Sequence, residues 1–173
     1  MRKYNKRICF SITKYNPKYR DRIGNYKKDE WISVSDIGAI YDKKLFTYEE
    51  YLKVETQYIR AVFLCMDFFE SKSVKINHIF KLDSIVNKNS TKYDSIKEQM
   101  SFFHLNDRIK DKYLIETLLK LRLREYIVEL ELIIDSKSNT EILFGFDYYM
   151  YLKTNKDVSE LKTIIEKIGL YFL

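Results

Sequence analysis

Hydrophobic positions recur along this chain with two periods, and the switches between them mark its elements. From Arg7 to Lys14 the residues alternate, Ile8, Phe10 and Ile12 against Cys9, Ser11 and Thr13, which predicts a half-buried first strand. Tyr15-Asn16-Pro17 ends it, because proline lacks a donor and holds the preceding residue extended. The polar run Lys18 to Glu30 predicts a basic loop with a turn at Gly24-Asn25. Trp31 to Gly38 fits a short strand or a helical turn capped by Ser35 or Asp36 and stopped by Gly38, with Trp31 as a core or loop anchor.

At Thr47 the period changes to that of a helix. Thr47-Tyr48-Glu49-Glu50 is a capping box, and Tyr51, Leu52, Tyr58, Ile59, Val62, Phe63, Met66 and Phe69 follow at helical spacing, so the longest helix is predicted to run to about Ser71. Val74 to Leu82 fits a strand or a short helix, Lys88 to Thr91 a loop, and Ser95 to Phe103 a short helix. A leucine-rich helix is predicted from about Arg108 to Arg124 or Glu125. Val128, Leu130, Leu132 and Ile134 then alternate with Glu129, Glu131 and Ile133 as a strand, and Asp135 to Asn139 turns the chain into a hairpin. Asp157-Val158-Ser159-Glu160 caps a last helix closed by Gly169, and Leu170 to Leu173 adds a terminal strand.

The densest aromatic stretch, Phe144-Gly145-Phe146-Asp147-Tyr148-Tyr149-Met150-Tyr151, follows that hairpin. It is apolar on both alternating faces, which predicts a single central strand covered on both sides and flanked by Val128 to Ile134. Asp147 is then a buried carboxylate, expected to accept hydrogen bonds from tyrosine hydroxyls or backbone amides, since an unpaired one is too costly there. Strand, helices, hairpin and helix in this order predict one α+β domain over residues 1–173, its helices grouped against a small, largely antiparallel sheet.

Composition adds little to the fold but narrows the function. The 173 residues include fifteen tyrosines and eleven phenylalanines with one proline and four glycines, which suits a packed domain with a contact-making surface and argues against a disordered chain. Cys9 and Cys65 are far apart and in no metal-binding or redox motif, so two buried free thiols in a reducing cytoplasm are expected. No apolar run is long enough to span a membrane or serve as a signal peptide, and the chain reads as complete and cytoplasmic. The net charge of +6 is concentrated at the start: residues 1–30 carry ten basic against three acidic side chains. That segment, with Tyr4, Tyr15, Tyr19 and Tyr26 interleaved, has the composition of a nucleic-acid-binding module, or simply of a solvated basic face.

Catalytic constellations are incomplete. His78 and His104 are widely separated and belong to no metal-ligand motif, so no metal site is expected; a ribonuclease using both as acid and base stays open in principle. There is no glycine-rich phosphate loop, no nucleophile elbow and no cysteine paired with histidine, and no cofactor is expected. The sequence reads as that of a non-enzyme.

Three ordered stretches carry a resemblance. They are Thr13 to Arg20 with Asp29 to Gly38; Leu45 to Glu55 with Tyr58-Ile59; and Leu121-Arg122-Leu123-Arg124-Glu125 leading into Phe144 to Tyr151. Together they resemble the small immunity proteins of bacterial contact-dependent growth inhibition and related polymorphic toxin systems. The resemblance implies a cytoplasmic, non-catalytic inhibitor that binds a cognate toxin domain, a nuclease and an RNase ahead of a DNase, with no membrane or direct nucleic-acid partner. Acidic groups that would meet such a toxin are Asp36, Glu49, Glu50, Glu55, Glu129, Glu131 and Asp147.

Overall fold

A computed structural model describes residues 7–82, 93–135 and 137–173; the loop expected at Lys88 to Thr91 lies outside them. The fold is α+β. The strands are β1 (Ile8–Thr13), β2 (Ile40–Tyr41), β3 (Lys44–Leu45), β4 (Val74–Lys81), β5 (Arg108–Ile109), β6 (Ile127–Asp135), β7 (Thr140–Phe144), β8 (Tyr149–Thr154) and β9 (Tyr171–Phe172). The α-helices are α1 (Tyr48–Phe68), α2 (Asp94–Ser101), α3 (Lys112–Leu123) and α4 (Ser159–Lys167).

Seven strands form one sheet in the order β5-β4-β6-β7-β8-β1-β9, and every neighbouring pair is antiparallel. Both edge strands are two residues long, so β5 pairs only the Val74–Lys75 end of β4 and β9 only the Ile12–Thr13 end of β1. β2 and β3 make a separate small hairpin. Helices α1, α3 and α4 pack together on one face of the large sheet. Leu130, Leu132, Ile142, Met150, Leu152 and Ile12 point into that layer and are almost fully buried. This is the face the alternation assigned inward.

The helix ends are set locally. Thr47 accepts from the Glu50 amide while Glu50 accepts from the Thr47 amide, the predicted capping box. At the other end the chain turns at Glu70, with φ 53°, as the amides of Glu70 and Ser71 bond back to Asp67 and Met66. α3 stops in the same way at Glu125, with φ 64°, the amides of Glu125 and Tyr126 reaching Arg122 and Leu121. Neither stop uses glycine, so sequence alone placed both ends loosely. The ambiguous Trp31–Gly38 segment is a helical turn at Val34–Asp36, but its cap is Ser33, with Asp36 completing the box. Val74 to Lys81 is a strand, with a bulge at Asn77.

One expectation is overturned. The aromatic stretch is not a single covered strand. β7 is the middle strand of the sheet, but it ends at Phe144, and β8 begins at Tyr149. Between them Asp147 and Tyr148 both have positive φ, 51° and 57°, and the Tyr149 amide bonds to the Phe146 carbonyl at 3.0 Å. This is the primed turn that suits the twist of a two-stranded ribbon. Asp147 is consequently exposed at a hairpin tip, not buried among tyrosines.

Among the described residues, no helix packs on the second face of the sheet. Lys75, His78 and Phe80 on β4, Glu129, Glu131 and Ile133 on β6, Glu141 and Leu143 on β7 and Tyr151 and Lys153 on β8 share it by register, and all are half-buried or exposed. The basic loop covers only its Tyr149 end, where the Tyr15 ring lies 5.5 Å from Tyr149 and the Arg20 guanidinium donates to the Tyr149 hydroxyl.

Candidate functional site

The three stretches that carry the resemblance meet in space. Trp31 stacks on Phe46 at 4.4 Å and meets the edge of Tyr148 at 4.9 Å. Tyr51 and Tyr58 of α1 approach the same Tyr148 ring. The Tyr148 hydroxyl donates to the Leu123 carbonyl at 2.9 Å, and the Tyr58 hydroxyl donates to the Tyr148 carbonyl. Three aromatic rings, Trp31, Tyr51 and Tyr58, thus surround one tyrosine whose backbone is in a conformation that ordinarily costs about 1–2 kcal/mol. The surrounding contacts hold it there.

Charge within this cluster is paired. Glu55, 2% exposed, accepts two hydrogen bonds from the Arg124 guanidinium at 2.7 and 2.8 Å and one from the Tyr51 hydroxyl at 3.0 Å. The carboxylate beside it raises the Arg124 pKa further above its ordinary value. Lys14 lies between the Tyr15 and Trp31 rings, each 4.1 Å away, and donates to the Trp31 carbonyl at 2.6 Å. Burial lowers its pKa to about 8, against the opposing pull of Glu30.

Beside the cluster is a cavity of about 360 Å³, walled by Ile32, Leu123, Val128, Phe144, Phe146 and Tyr148. Arg122 lines it, 8% exposed. Its Nη2 donates to the Gly145 carbonyl at 2.6 Å, its Nε is buried with no partner, and no carboxylate of the described residues pairs with it. Burial lowers its pKa, with Glu125 and Glu129 opposing from a distance. Arg122 also lines a groove on the open sheet face, along with His78, Glu129, Glu131, Leu143 and Tyr151. Arg122 therefore sits between an apolar cavity and that face.

The acidic candidates divide accordingly. Glu129 and Glu131 line the groove, where Glu129 meets His78 at 2.8 Å and Glu131 accepts from Asn77 at 3.2 Å, and Asp147 lines the cavity. Asp36 and Glu50 are engaged in caps, and Glu50 also pairs with Lys44. Glu49 is exposed on the first turn of α1. Glu55 is a core group, so it is withdrawn as a surface candidate.

The two histidines are on different elements: His78 faces Glu129, whereas His104, in the turn before β5, is 3.4 Å from Asp107 and does not line the groove. Among the described residues no three His, Cys, Asp or Glu side chains are grouped to hold a metal ion. Cys65 is buried as expected, which pushes its thiol up to about 12, but Cys9, expected to be buried too, is exposed near the start of β1.

Of the basic segment, Tyr15 and Tyr26 are built into the fold, whereas Lys18, Tyr19, Arg22 and Lys27 are exposed and Arg2 to Lys6 lie outside the described residues. Tyr15, 4% exposed, contacts Tyr26 and Tyr149, and Tyr26 packs against Tyr19 and bonds to Glu30. Lys27 pairs with Asp21. Rings held this way are poor platforms for stacked bases.

Arg122 was the functional residue hardest to see in the sequence. Its position four residues after Leu118 and three after Leu119, both fully buried, is the signal, since residues at that spacing share a helix face. Comparison with known protein families, characterised proteins and solved structures gives no match for this chain.

Proposed function

We propose that this chain is a cytoplasmic immunity protein that binds and neutralises a cognate toxin domain, a nuclease and an RNase ahead of a DNase, without chemistry of its own. The observation that carries this reading is the open face of the sheet. Its centre combines the half-buried Leu143, Tyr151 and Ile133 with the carboxylates of Glu129 and Glu131. On a face that also carries Lys75 and Lys153, this apolar centre with two adjacent carboxylates offers contacts to basic groups of a substrate-binding surface such as a nuclease presents. Support also comes from the way the resemblance stretches are used. Trp31, Phe46, Tyr51, Tyr58 and Tyr148 of these stretches are consumed in the core cluster, whereas Tyr151 stays on the sheet face, where it can meet a partner.

The chain has no helix, among the described residues, that is long and apolar enough to cross a membrane. The test begins with the gene immediately upstream, expected to encode a large secreted protein with a nuclease-like C-terminal domain, and co-expresses that domain with this chain. The expected result is co-purification and rescue of growth, both lost when Leu143→Arg and Tyr151→Ala are combined in a chain that still unfolds at the wild-type temperature. Neither complex nor rescue with the wild-type chain overturns the reading. A complex indifferent to the double substitution moves the interface off this face.

A further inference from the structure

We propose that the cavity beside Arg122 is a binding site for a carboxylate carried on a compact apolar body. This does not rest on the toxin-neutralising reading; it rests on an imbalance inside the molecule. A guanidinium carries five donors, and it is buried at substantial cost unless a counter-charge accompanies it. Arg122 is 8% exposed and has, among the described residues, a single neutral acceptor, the Gly145 carbonyl, leaving Nε unpartnered. Two residues on, Arg124 has what Arg122 lacks, a carboxylate held by two hydrogen bonds.

The walls define the rest of the ligand. Val128, Phe144, Phe146 and Tyr148 are apolar surfaces around a volume of about 360 Å³. That lies within the roughly 300–1,000 Å³ of small-molecule sites. Phe146, 74% exposed at the hairpin tip, stands on the lining of this cavity with no cover of its own. Glu125 and Asp147 also line it. Their negative charge disfavours a dianion such as phosphate and leaves a singly charged carboxylate as the anion Arg122 selects. A ring-bearing acid places its charge on Arg122 and its ring among the aromatic walls. The same chemistry is offered by a free organic acid and by an apolar residue at the C-terminus of a polypeptide.

Thermal unfolding and calorimetric titration of the whole chain test this with four probes: phenylacetate for the free acid, N-acetylphenylalanine for a chain terminus, phenylacetamide as the uncharged control, and inorganic phosphate. One of the two carboxylates is expected to bind and raise the unfolding temperature, the tighter of them identifying the source. Phenylacetamide is expected to bind at least about tenfold more weakly, the loss of a charge-assisted pair, and phosphate not measurably. Arg122→Met should abolish carboxylate binding, as should Val128→Phe, which fills the cavity and keeps the arginine. The second variant carries the test should the first fail to fold. Absence of binding by both carboxylates, equal binding of the amide, or binding that survives both substitutions overturns the proposal.

Discussion

Two arginines separated by one residue at the end of α3 meet opposite fates. Arg124 reaches across to α1 and is completed by Glu55, whose third hydrogen bond comes from Tyr51. Arg122 turns the other way, under the β7–β8 hairpin, and finds one backbone carbonyl. The chain thus closes one charge internally and leaves its neighbour open beside a cavity. The first arrangement locks helices α1 and α3 together at the aromatic cluster. The second is a cost that folding alone does not explain, and such costs collect where a protein binds something.

Breaking the closed side should have the largest effect. Glu55→Ala leaves the Arg124 guanidinium and the Tyr51 hydroxyl without their acceptor. A destabilisation of about 3 kcal/mol is expected, the lower end for a broken buried pair because Arg124 is partly solvated. Urea unfolding checks it; a loss under about 1 kcal/mol would place the pair among ordinary surface bridges.

Tyr148→Gly should cost less, about 2 kcal/mol. Removing a buried ring typically costs about 3–5 kcal/mol, but glycine releases about 1–2 kcal/mol of left-handed backbone strain. The comparison Tyr148→Ala, which loses the ring and keeps the strain, should be the worse of the two. If alanine proves no worse than glycine, the turn is not strained.

On the open side the sign reverses. Arg122→Met removes an uncompensated buried charge and should stabilise the free protein by about 1 kcal/mol. A clear loss of stability would mean that Arg122 is structural and that the Gly145 contact suffices for it.

A separate effect is a pH dependence at Lys14. Its pKa is about 8 in the folded protein against 10.5 ordinarily, so between these values the unfolded chain holds more protons and stability rises with pH. Above about pH 10 the trend inverts. Tyr51, Tyr58 and Tyr148 are pushed up by burial, so the unfolded chain ionises first and stability falls. Denaturation midpoints between pH 7 and 11 should show a shallow maximum, and Lys14→Met should erase the rising limb alone.

The same contrast explains what was legible in the sequence. Features fixed by neighbours along the chain read well: the Thr47–Glu50 capping box, the strand alternation of β6, and the turn at Asp135, whose carboxylate accepts from the amides of Lys137 and Ser138. The β7–β8 hairpin did not, for a physical reason. Its link from Gly145 to Tyr148 has an even number of residues, so inward positions keep the same parity from Ile142 and Phe144 to Tyr148, Met150 and Leu152. The alternation therefore reads straight through a turn that contains no Asn-Gly or Asp-Gly pair. Phe146, which obeys that parity and is nevertheless exposed, is the residue that betrays it. Of the acidic candidates, Glu55 could not be separated from surface glutamates without knowing that Arg124, 69 positions away, would meet it.

The most direct measurement is the NMR signal of the two guanidinium Nε–H groups during titration with phenylacetate or N-acetylphenylalanine, whichever binds. The Arg122 resonance should shift and become protected from solvent exchange as the acid saturates, while the Arg124 resonance, already held by Glu55, stays in place. Equal movement of both, or of neither, would contradict the division between a closed and an open arginine.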